Sequence, residues 1–325
     1  MSVTTSHLVL PRPGTTYTPK PPIRGPSESF FTSTFGALLP PAQHLETANG
    51  KAAYYSIPPS APTDNARILD RVLLIHGVQT PAIGMLPLAR ALHDTFPHTH
   101  FVLVDLWGHG LSDTPVIPHE AALFHGLIDA LLDHLQWSTA HLIGFSFGGS
   151  LTVGYTASRP SRVSSFTLVA PAGLIRIYAF PTEDQHHLMH GVDEVEVRKL
   201  ILRFLEGGEL IVPDDWRERV GRGEIVPQAV KEWQMREHPG HTASVVAMFR
   251  DGGAMYNHDN FEKAVRTGIP SLVVLGEYDD LCTEQQLRGY GFSDVHVVPQ
   301  AGHGVVRERV PEVAGFITNF WNGLH

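Results

Sequence analysis

The chain has 325 residues, of which 42% are hydrophobic and 18% are charged, and such values are typical of a folded globular protein. Its formal net charge is −9 with histidine neutral, and its 24 lysine and arginine residues are scattered, which argues against a nucleic-acid-binding surface. Cys282 is the only cysteine, which excludes an intrachain disulfide and favours a reducing, cytoplasmic location.

The N-terminal region, residues 1–42, is rich in proline and is predicted to form an extended arm. Seven prolines lie between Pro11 and Pro40, and this density disfavours helices and central strands. The region has no basic start followed by an apolar stretch, and no apolar run reaches the ~20 residues needed to span a bilayer. We therefore expect neither a signal peptide nor a transmembrane segment, and we assign the arm no chemistry.

Strand-like runs follow the arm. Residues 44–57 hold two β-like runs around Asn49-Gly50, a dipeptide that favours the tight turn of a hairpin. After a loop at 58–65, short apolar runs alternate with helical stretches such as 121–135. The runs interpreted as buried parallel strands are residues 71–75, 101–104, 141–145, 166–169 and 269–275. This alternation predicts an α/β fold with a doubly wound, mostly parallel sheet, in which ligands bind at the C-terminal ends of the strands.

The alternation stops between residues 175 and 257. Charged, helical-looking segments replace the strands there, and strand-like sequence resumes only at residue 269. We interpret 175–257 as an inserted helical cap, or lid. The catalytic core is then predicted to comprise residues 43–174 and 258–325.

A candidate nucleophile lies at the end of the run at 141–145. The sequence there is Gly144-Phe145-Ser146-Phe147-Gly148, which matches Gly-x-Ser-x-Gly, and helix-forming sequence follows directly. A sharp strand-to-helix turn would hold Ser146 at its apex in a strained conformation, and Gly144 and Gly148 leave room where side chains would collide. The first amides of the following helix would face the same site, so the Phe147 N–H is a candidate to bind the negative oxygen of a tetrahedral intermediate.

A base and an acid are then needed, because a serine hydroxyl is a weak nucleophile. His303, within Gly302-His303-Gly304, follows a strand-like run at 295–298 and is the candidate base. The acid that orients such an imidazole is expected just after the preceding strand, where Asp279 lies. Asp280 and Glu277 lie beside Asp279, and the residues alone leave all three carboxylates as candidates.

Residues 43–325 resemble the α/β-hydrolase family. Four segments match it in order: the loop His76-Gly77-Val78, the turn at 105–113, the Ser146 turn, and the segment from Asp279 to His303. This resemblance implies a Ser-His-Asp triad, and the family pattern Gly-x-x-Asp places its acid at Asp279. Some members take the acid from the earlier strand, but the sequence there is Ala170-Pro171-Ala172, without a carboxylate.

The resemblance also implies roles around the triad. The Val78 amide would be the second oxyanion donor beside that of Phe147, and the residues that support the site would be His76, Gly77, Gly144 and Gly148. His109 would brace a neighbouring loop. The alternative for His76 and His109 is a role as metal ligands or as a second base. The 20 histidines show no metal-ligand spacing, so we expect neither a metal nor a cofactor. Cys282 is interpreted as a packing residue, because no base is identified for it.

The expected activity is that of a serine hydrolase, which cleaves a carboxylic ester, a lactone or another activated acyl bond through an acyl-enzyme intermediate. The sequence Asp279-Asp280-Leu281-Cys282 is similar to the acid loop of monoacylglycerol lipases, which favours a small, lipophilic acyl substrate. Two alternatives remain. One is a carbon–carbon bond hydrolase of the same fold, although those enzymes often carry Trp directly after the catalytic histidine, whereas here Gly304 follows His303. The other is a non-catalytic ligand receptor. No pattern predicts an oligomeric state.

Overall fold

The computed structural model describes residues 8–61, 70–190 and 193–324. Residues 1–7 of the predicted arm and 62–65 of the predicted loop lie outside the described residues. The described residues contain thirteen α-helices and eight β-strands.

The strands form one sheet in the order β1-β2-β4-β3-β5-β6-β7-β8. Their bounds are β1 Gln43–Thr47, β2 Gly50–Ile57, β3 Arg71–Ile75, β4 His100–Val104, β5 Ala140–Phe145, β6 Val163–Val169, β7 Ser271–Gly276 and β8 Val295–Val298. β1 pairs antiparallel with β2, and β2 antiparallel with β4, whereas the pairs from β4 to β8 are parallel. The strand order reverses at β3, whose neighbours are β4 and β5. A ligand crevice is expected at such a reversal, outside the C-terminal ends of these strands.

The sheet confirms the predicted doubly wound, mostly parallel arrangement. Helices cover both of its faces, and each face has its own apolar core. On one face Leu151 belongs to the core together with Phe124. On the other face Leu88 and Ile317 are fully buried. Strands such as β5 are buried along their whole length, which explains why they read as continuous apolar runs without alternation.

The hairpin predicted around Asn49-Gly50 is confirmed. Thr47 pairs with Gly50, and Leu45 with Ala52, across the β1–β2 turn. The predicted parallel strands are also confirmed, with bounds that differ by up to three residues from the predicted ones.

The helices that precede the cap segment are α1 Glu28–Phe35, α2 Leu86–Thr95, α3 Ala121–His134 and α4 Phe147–Ser158. Helix α1 corrects the expectation of an arm without helices. No proline lies between Pro26 and Pro40, so this stretch is free to form a helix, and the Ser27 hydroxyl caps it by accepting from the Phe30 amide.

Of the six α-helices that the described residues form between β6 and β7, five lie within the predicted cap. They are α5 Thr182–His190, α6 Glu194–Glu206, α7 Trp216–Gly221, α8 Pro227–Glu237 and α9 His241–Asp251. An isolated bridge between Ile175 and Met255 brings the two ends of this segment together. The assignment of 175–257 as a separate cap, 43–174 and 258–325 as the core and 1–42 as an arm stays a prediction.

The remaining helices are α10 His258–Arg266, α11 Glu284–Gly289, α12 Val305–Glu308 and α13 Val310–Asn322. Within the described ranges, none of the helices is both long enough and apolar enough to cross a membrane.

Candidate active site

Ser146 lies at the turn between β5 and α4, at the strand end next to the reversal in strand order. Its φ of 54° and ψ of −118° are unusual for a residue with a side chain. Both backbone groups of this residue are held: its N–H donates to the Val169 carbonyl at 3.0 Å, and its carbonyl accepts from the Ala172 amide at 2.9 Å. The strained turn is therefore fixed by the neighbouring strand β6 and the loop after it.

Two glycines make this turn possible because other backbone lies where their side chains would be. A β-carbon on Gly144 would lie 2.3 Å from the Gly148 carbonyl oxygen, and one on Gly148 would lie 2.1 Å from the Ile75 carbonyl oxygen. Such distances are far below van der Waals contact, so any larger residue would displace the turn or β3. The positions predicted to support the site thus have a steric reason to be glycine.

Ser146, His303 and Asp279 form one hydrogen-bonded chain. The His303 Nε2 atom lies 2.9 Å from Ser146 Oγ, and the His303 Nδ1 atom lies 3.0 Å from Asp279 Oδ2. Asp279 follows β7, its side chain is fully buried, and its second oxygen accepts from the Leu281 amide at 3.2 Å. This arrangement gives His303 the tautomer with hydrogen on Nδ1, which leaves Nε2 free to accept the serine proton.

The two other candidate acids have different surroundings. Glu277 accepts a hydrogen bond from the Gln300 amide at 2.7 Å. Asp280 lines the cavity above Ser146. Of the three carboxylates, Asp279 is the one that the structure brings against the His303 ring.

The loop of residues 76–79 follows β3 and lies beside Ser146. A β-carbon on Gly77 would lie 2.7 Å from Ser146 Cβ, so this backbone packs directly against the nucleophile candidate. Val78 lines the same cavity as Ser146 and His303. Phe147, the first residue of α4, has a fully buried side chain. We refer to residues 76–79, which include the predicted oxyanion donor Val78, as the oxyanion loop.

His76 and His109 are buried, and each has hydrogen bonds at both ring nitrogens, one of them to this loop. The His76 Nδ1–H donates to the Gly77 carbonyl at 2.6 Å, and Nε2 accepts from the Leu106 amide at 2.9 Å. The His109 Nε2 atom accepts from the Gln79 amide at 3.1 Å. Burial lowers the pKa of His76 to about 4, and burial together with neighbouring imidazoles lowers the pKa of His109 well below its ordinary value. Both rings are therefore neutral at pH 7, as these hydrogen bonds require.

Behind the oxyanion loop lies the carboxylate of Asp105, which the sequence indicates only as part of the turn at residues 105–113. Asp105 is buried, and its oxygens accept from the Tyr55 hydroxyl at 2.7 Å and from the Ala82 and Leu111 amides at 2.9 and 3.0 Å. Burial raises the pKa of Asp105 to about 6. The hydrogen bonds of Asp105 connect its own turn to β2 and to the segment after the oxyanion loop.

Cys282 lies in the acid loop but is buried, with its Sγ atom 3.5 Å from the Pro171 carbonyl oxygen. Burial, together with the charge of Asp279, raises the pKa of the Cys282 thiol. A thiolate is thus disfavoured at this position. Among the described residues, no cluster of three or more His, Cys, Asp or Glu side chains could hold a metal ion.

A cavity of about 440 Å³ opens above Ser146 and His303. Its walls are mostly apolar, and the helices α6 and α9 of the segment between β6 and β7 contribute to them. Besides Val78, Ser146 and His303, the lining residues are Ala172, Ile175, Phe204, Leu205, Glu206, Gly207, Phe249, Ala254, Asp280 and Leu281. The sequence predicts this inserted segment but none of the residues with which it lines the cavity, because no local pattern shows which faces of its helices meet the core.

Comparison with known proteins agrees with the fold. Residues 72–316 match the model of a family described as the alpha/beta hydrolase family. Monoacylglycerol lipase abhd6-A of Xenopus laevis is 25% identical over 269 residues, which cover 78% of this chain and 75% of that protein. Monoacylglycerol lipase ABHD6 of Rattus norvegicus is 25% identical over 272 residues, which cover 78% of this chain and 76% of that protein.

Among solved structures, the chain is similar to the enol-lactonase from Burkholderia xenovorans LB400, with a TM-score of 0.62 and 18% identity. That match covers 86% of this chain and 100% of the lactonase chain. At this level of identity the likeness establishes a shared fold.

Proposed function

This chain belongs to the alpha/beta hydrolase family, and from that premise we propose that it is a serine esterase that cleaves carboxylic esters of uncharged, lipophilic acyl groups. The observation that carries the proposal is the hydrogen-bonded chain from Ser146 through His303 to Asp279 at the floor of an apolar cavity. The monoacylglycerol lipases among its relatives support ester hydrolysis.

In the proposed acylation step, Ser146 Oγ attacks the ester carbonyl carbon while His303 Nε2 takes the serine proton. The ester C–O bond then breaks, and the alcohol leaves with the proton from His303. In deacylation a water molecule attacks the acyl-enzyme, gives its proton to His303, and the carboxylic acid leaves as the proton returns to Ser146. Asp279 keeps the Nδ1–H of His303 in place and stabilises the imidazolium in both steps.

The amides of Val78 and Phe147 are proposed to bind the oxyanion. The packing of Gly77 against Ser146 supports the first assignment, because it keeps the next amide close to the nucleophile. The position of Phe147 at the first turn of α4 supports the second, because the first amides of a helix have no partner within the helix.

The cavity supports an uncharged and lipophilic acyl group. Ile175, Phe204 and Phe249 supply apolar walls. Glu206 and Asp280 are the carboxylates in the lining, and the described lining residues include no Lys or Arg that could pair with an anionic acyl chain. A volume of about 440 Å³ lies within the range of small-molecule sites.

The test is steady-state hydrolysis of p-nitrophenyl butyrate and of a monoacylglycerol by the wild type, Ser146→Ala and the control Ser158→Ala. Ser158 is exposed at the end of the same helix, and its hydroxyl donates to the Gly154 carbonyl. We expect activity in the wild type and the control and a loss of roughly 10⁶-fold in Ser146→Ala. Activity that survives in Ser146→Ala, or ligand binding without any turnover in the wild type, would overturn the proposal.

A further inference from the structure

We propose that Gln234, on helix α8, is a positioning residue that holds the oxyanion loop in its active arrangement. The inference rests on the proposed function, since it concerns how the Val78 amide is kept beside Ser146. Gln234 does not line the cavity, and no sequence motif points to it.

The Gln234 side chain is completely buried and both ends of its amide are used. Its Nε2 atom donates to the Gln79 carbonyl at 2.7 Å, and its Oε1 atom accepts from the Gly110 amide at 2.8 Å. The partners fix the orientation of the amide, because a flipped amide would face N–H with N–H and oxygen with oxygen. One side chain thus joins α8 to the oxyanion loop and to the turn after β4.

Gln79 is a residue that needs such support. It follows Val78 directly and has a φ of 65°, a left-handed conformation that costs free energy in a residue with a β-carbon. Its N–H donates to His109 and its carbonyl accepts from Gln234, so both backbone groups are held from outside the loop. Its own side-chain nitrogen is buried and has no hydrogen-bond partner among the described residues. The conformation next to the proposed oxyanion donor therefore depends on His109 and Gln234.

Helix α8 is well placed to act as a rigid support. Trp233, the neighbour of Gln234, packs edge-on against Phe31 of α1 with ring centroids 5.2 Å apart. One turn earlier, Lys231 forms an ion pair with Glu206 at 2.9 Å, and Glu206 lines the substrate cavity. The same helix thus contacts the cavity wall and the oxyanion loop, which makes Gln234 a connection between them.

A purely structural role for Gln234 would predict a loss of stability without a specific loss of transition-state binding. A positioning role predicts a fall in kcat at nearly constant KM, because the oxyanion forms only in the transition state. It also predicts weaker binding of a trifluoromethyl ketone, which forms a tetrahedral adduct with an oxyanion.

The experiment compares Gln234→Met, Gln234→Glu and the control Gln228→Met with the wild type. Met is close in size to Gln but makes neither hydrogen bond, whereas Gln228 is half-buried on the same helix. The measurements are kcat, KM, the trifluoromethyl ketone inhibition constant and the melting temperature. For Gln234→Met we expect a fall in kcat of roughly 10- to 100-fold with KM within about two-fold, and a matching rise in the inhibition constant. Gln228→Met should behave like the wild type.

Gln234→Glu keeps the test decisive if Gln234→Met does not fold. The introduced carboxylate can still accept from the Gly110 amide but cannot donate to the Gln79 carbonyl until it takes up a proton. We expect its kcat, as a fraction of the wild-type value at each pH, to rise as the pH falls. A fraction that stays constant with pH, or an unchanged kcat in folded Gln234→Met, would overturn the positioning role. An inactive wild type or an active Ser146→Ala would instead overturn the proposed function.

Discussion

Gly77 lies so close to Ser146 that a β-carbon built on it would be 2.7 Å from the serine Cβ and 3.2 Å from its Oγ. The backbone of the oxyanion loop therefore packs directly on the nucleophile candidate, with no side chain between them. The ring of Phe145 would also lie close, 3.3 Å from the added carbon. The close approach of this loop to Ser146 thus requires that residue 77 have no side chain.

Gly77→Ala should lower kcat for p-nitrophenyl butyrate by roughly 10²- to 10³-fold, because the added methyl group must push the oxyanion loop away from Ser146. The control is Gly126→Ala in α3, where an added β-carbon would meet nothing within 4 Å. That control should keep full activity and gain about 0.5–1 kcal/mol of stability from the better helix former. Full activity in Gly77→Ala would contradict the assignment of this loop to the oxyanion site.

Asp279→Asn should lower kcat by roughly 10⁴-fold with little effect on the melting temperature. The amide would favour the tautomer of His303 with hydrogen on Nε2, which cannot accept the proton of Ser146. Asp280→Asn and Glu277→Gln serve as matched controls, since neither side chain is the one that lies against the His303 ring. If Asp280→Asn lost as much activity as Asp279→Asn, the acid would be assigned to the wrong carboxylate.

Much of the fold and of the candidate site could be predicted because the relevant signals are local. The run at residues 71–75 is buried on both faces and reads as a strand without any tertiary information. The sequence around Ser146 is also a local signal, although only Gly144 is required by the turn itself, whereas Gly148 is required by its contact with β3. Asp279 could be separated from its two neighbours only by the family pattern, because the contact with His303 joins positions that lie on different loops.

The parts that could not be predicted depend on contacts between distant segments. Gln234 binds the Gln79 carbonyl across 155 positions, and nothing in the sequence of α8 distinguishes it from other glutamines. The proline density of the whole arm predicts no helix, whereas the stretch from Ser27 to Phe35 contains no proline and includes α1. Phe31 and Phe35 of this helix pack against Trp233, which lies far along the chain.

The folded protein should lose stability as the pH falls from about 6.5 to about 4. A group of buried histidines has pKa values that burial lowers to about 4 or further: His76, His109, His119, His125, His238 and His241. The unfolded chain binds protons at these positions below pH 6.5 while the folded chain does not, so each contributes a loss of up to about 1.4 kcal/mol per pH unit. Asp105 acts in the opposite direction between pH 6 and 3.8, because burial raises its pKa to about 6.

Urea unfolding at pH 7.5, 6 and 5 measures this dependence. The net effect should be a steep fall in the free energy of unfolding, since several histidines oppose a single carboxyl group. His241→Asn should make the dependence shallower by about one proton, because the amide can still donate to the Gly108 carbonyl that His241 Nδ1 now contacts at 2.8 Å. A free energy of unfolding that is the same at pH 7.5 and pH 5 would contradict the neutrality of these rings.

The choice of acyl chain should depend on Ala254, which is buried and lines the cavity above Ser146. In Ala254→Leu the larger side chain would take up part of the space available to a long acyl group but would not reach a short one. We expect kcat/KM for p-nitrophenyl octanoate to fall roughly 10-fold or more, while the value for p-nitrophenyl acetate stays within about two-fold. Ala122→Leu, on the exposed face of α3, is the matched control and should leave both values unchanged. An equal fall for both esters would mean that the substitution disturbs Ser146 itself, and unchanged values for both would place the acyl group outside this cavity.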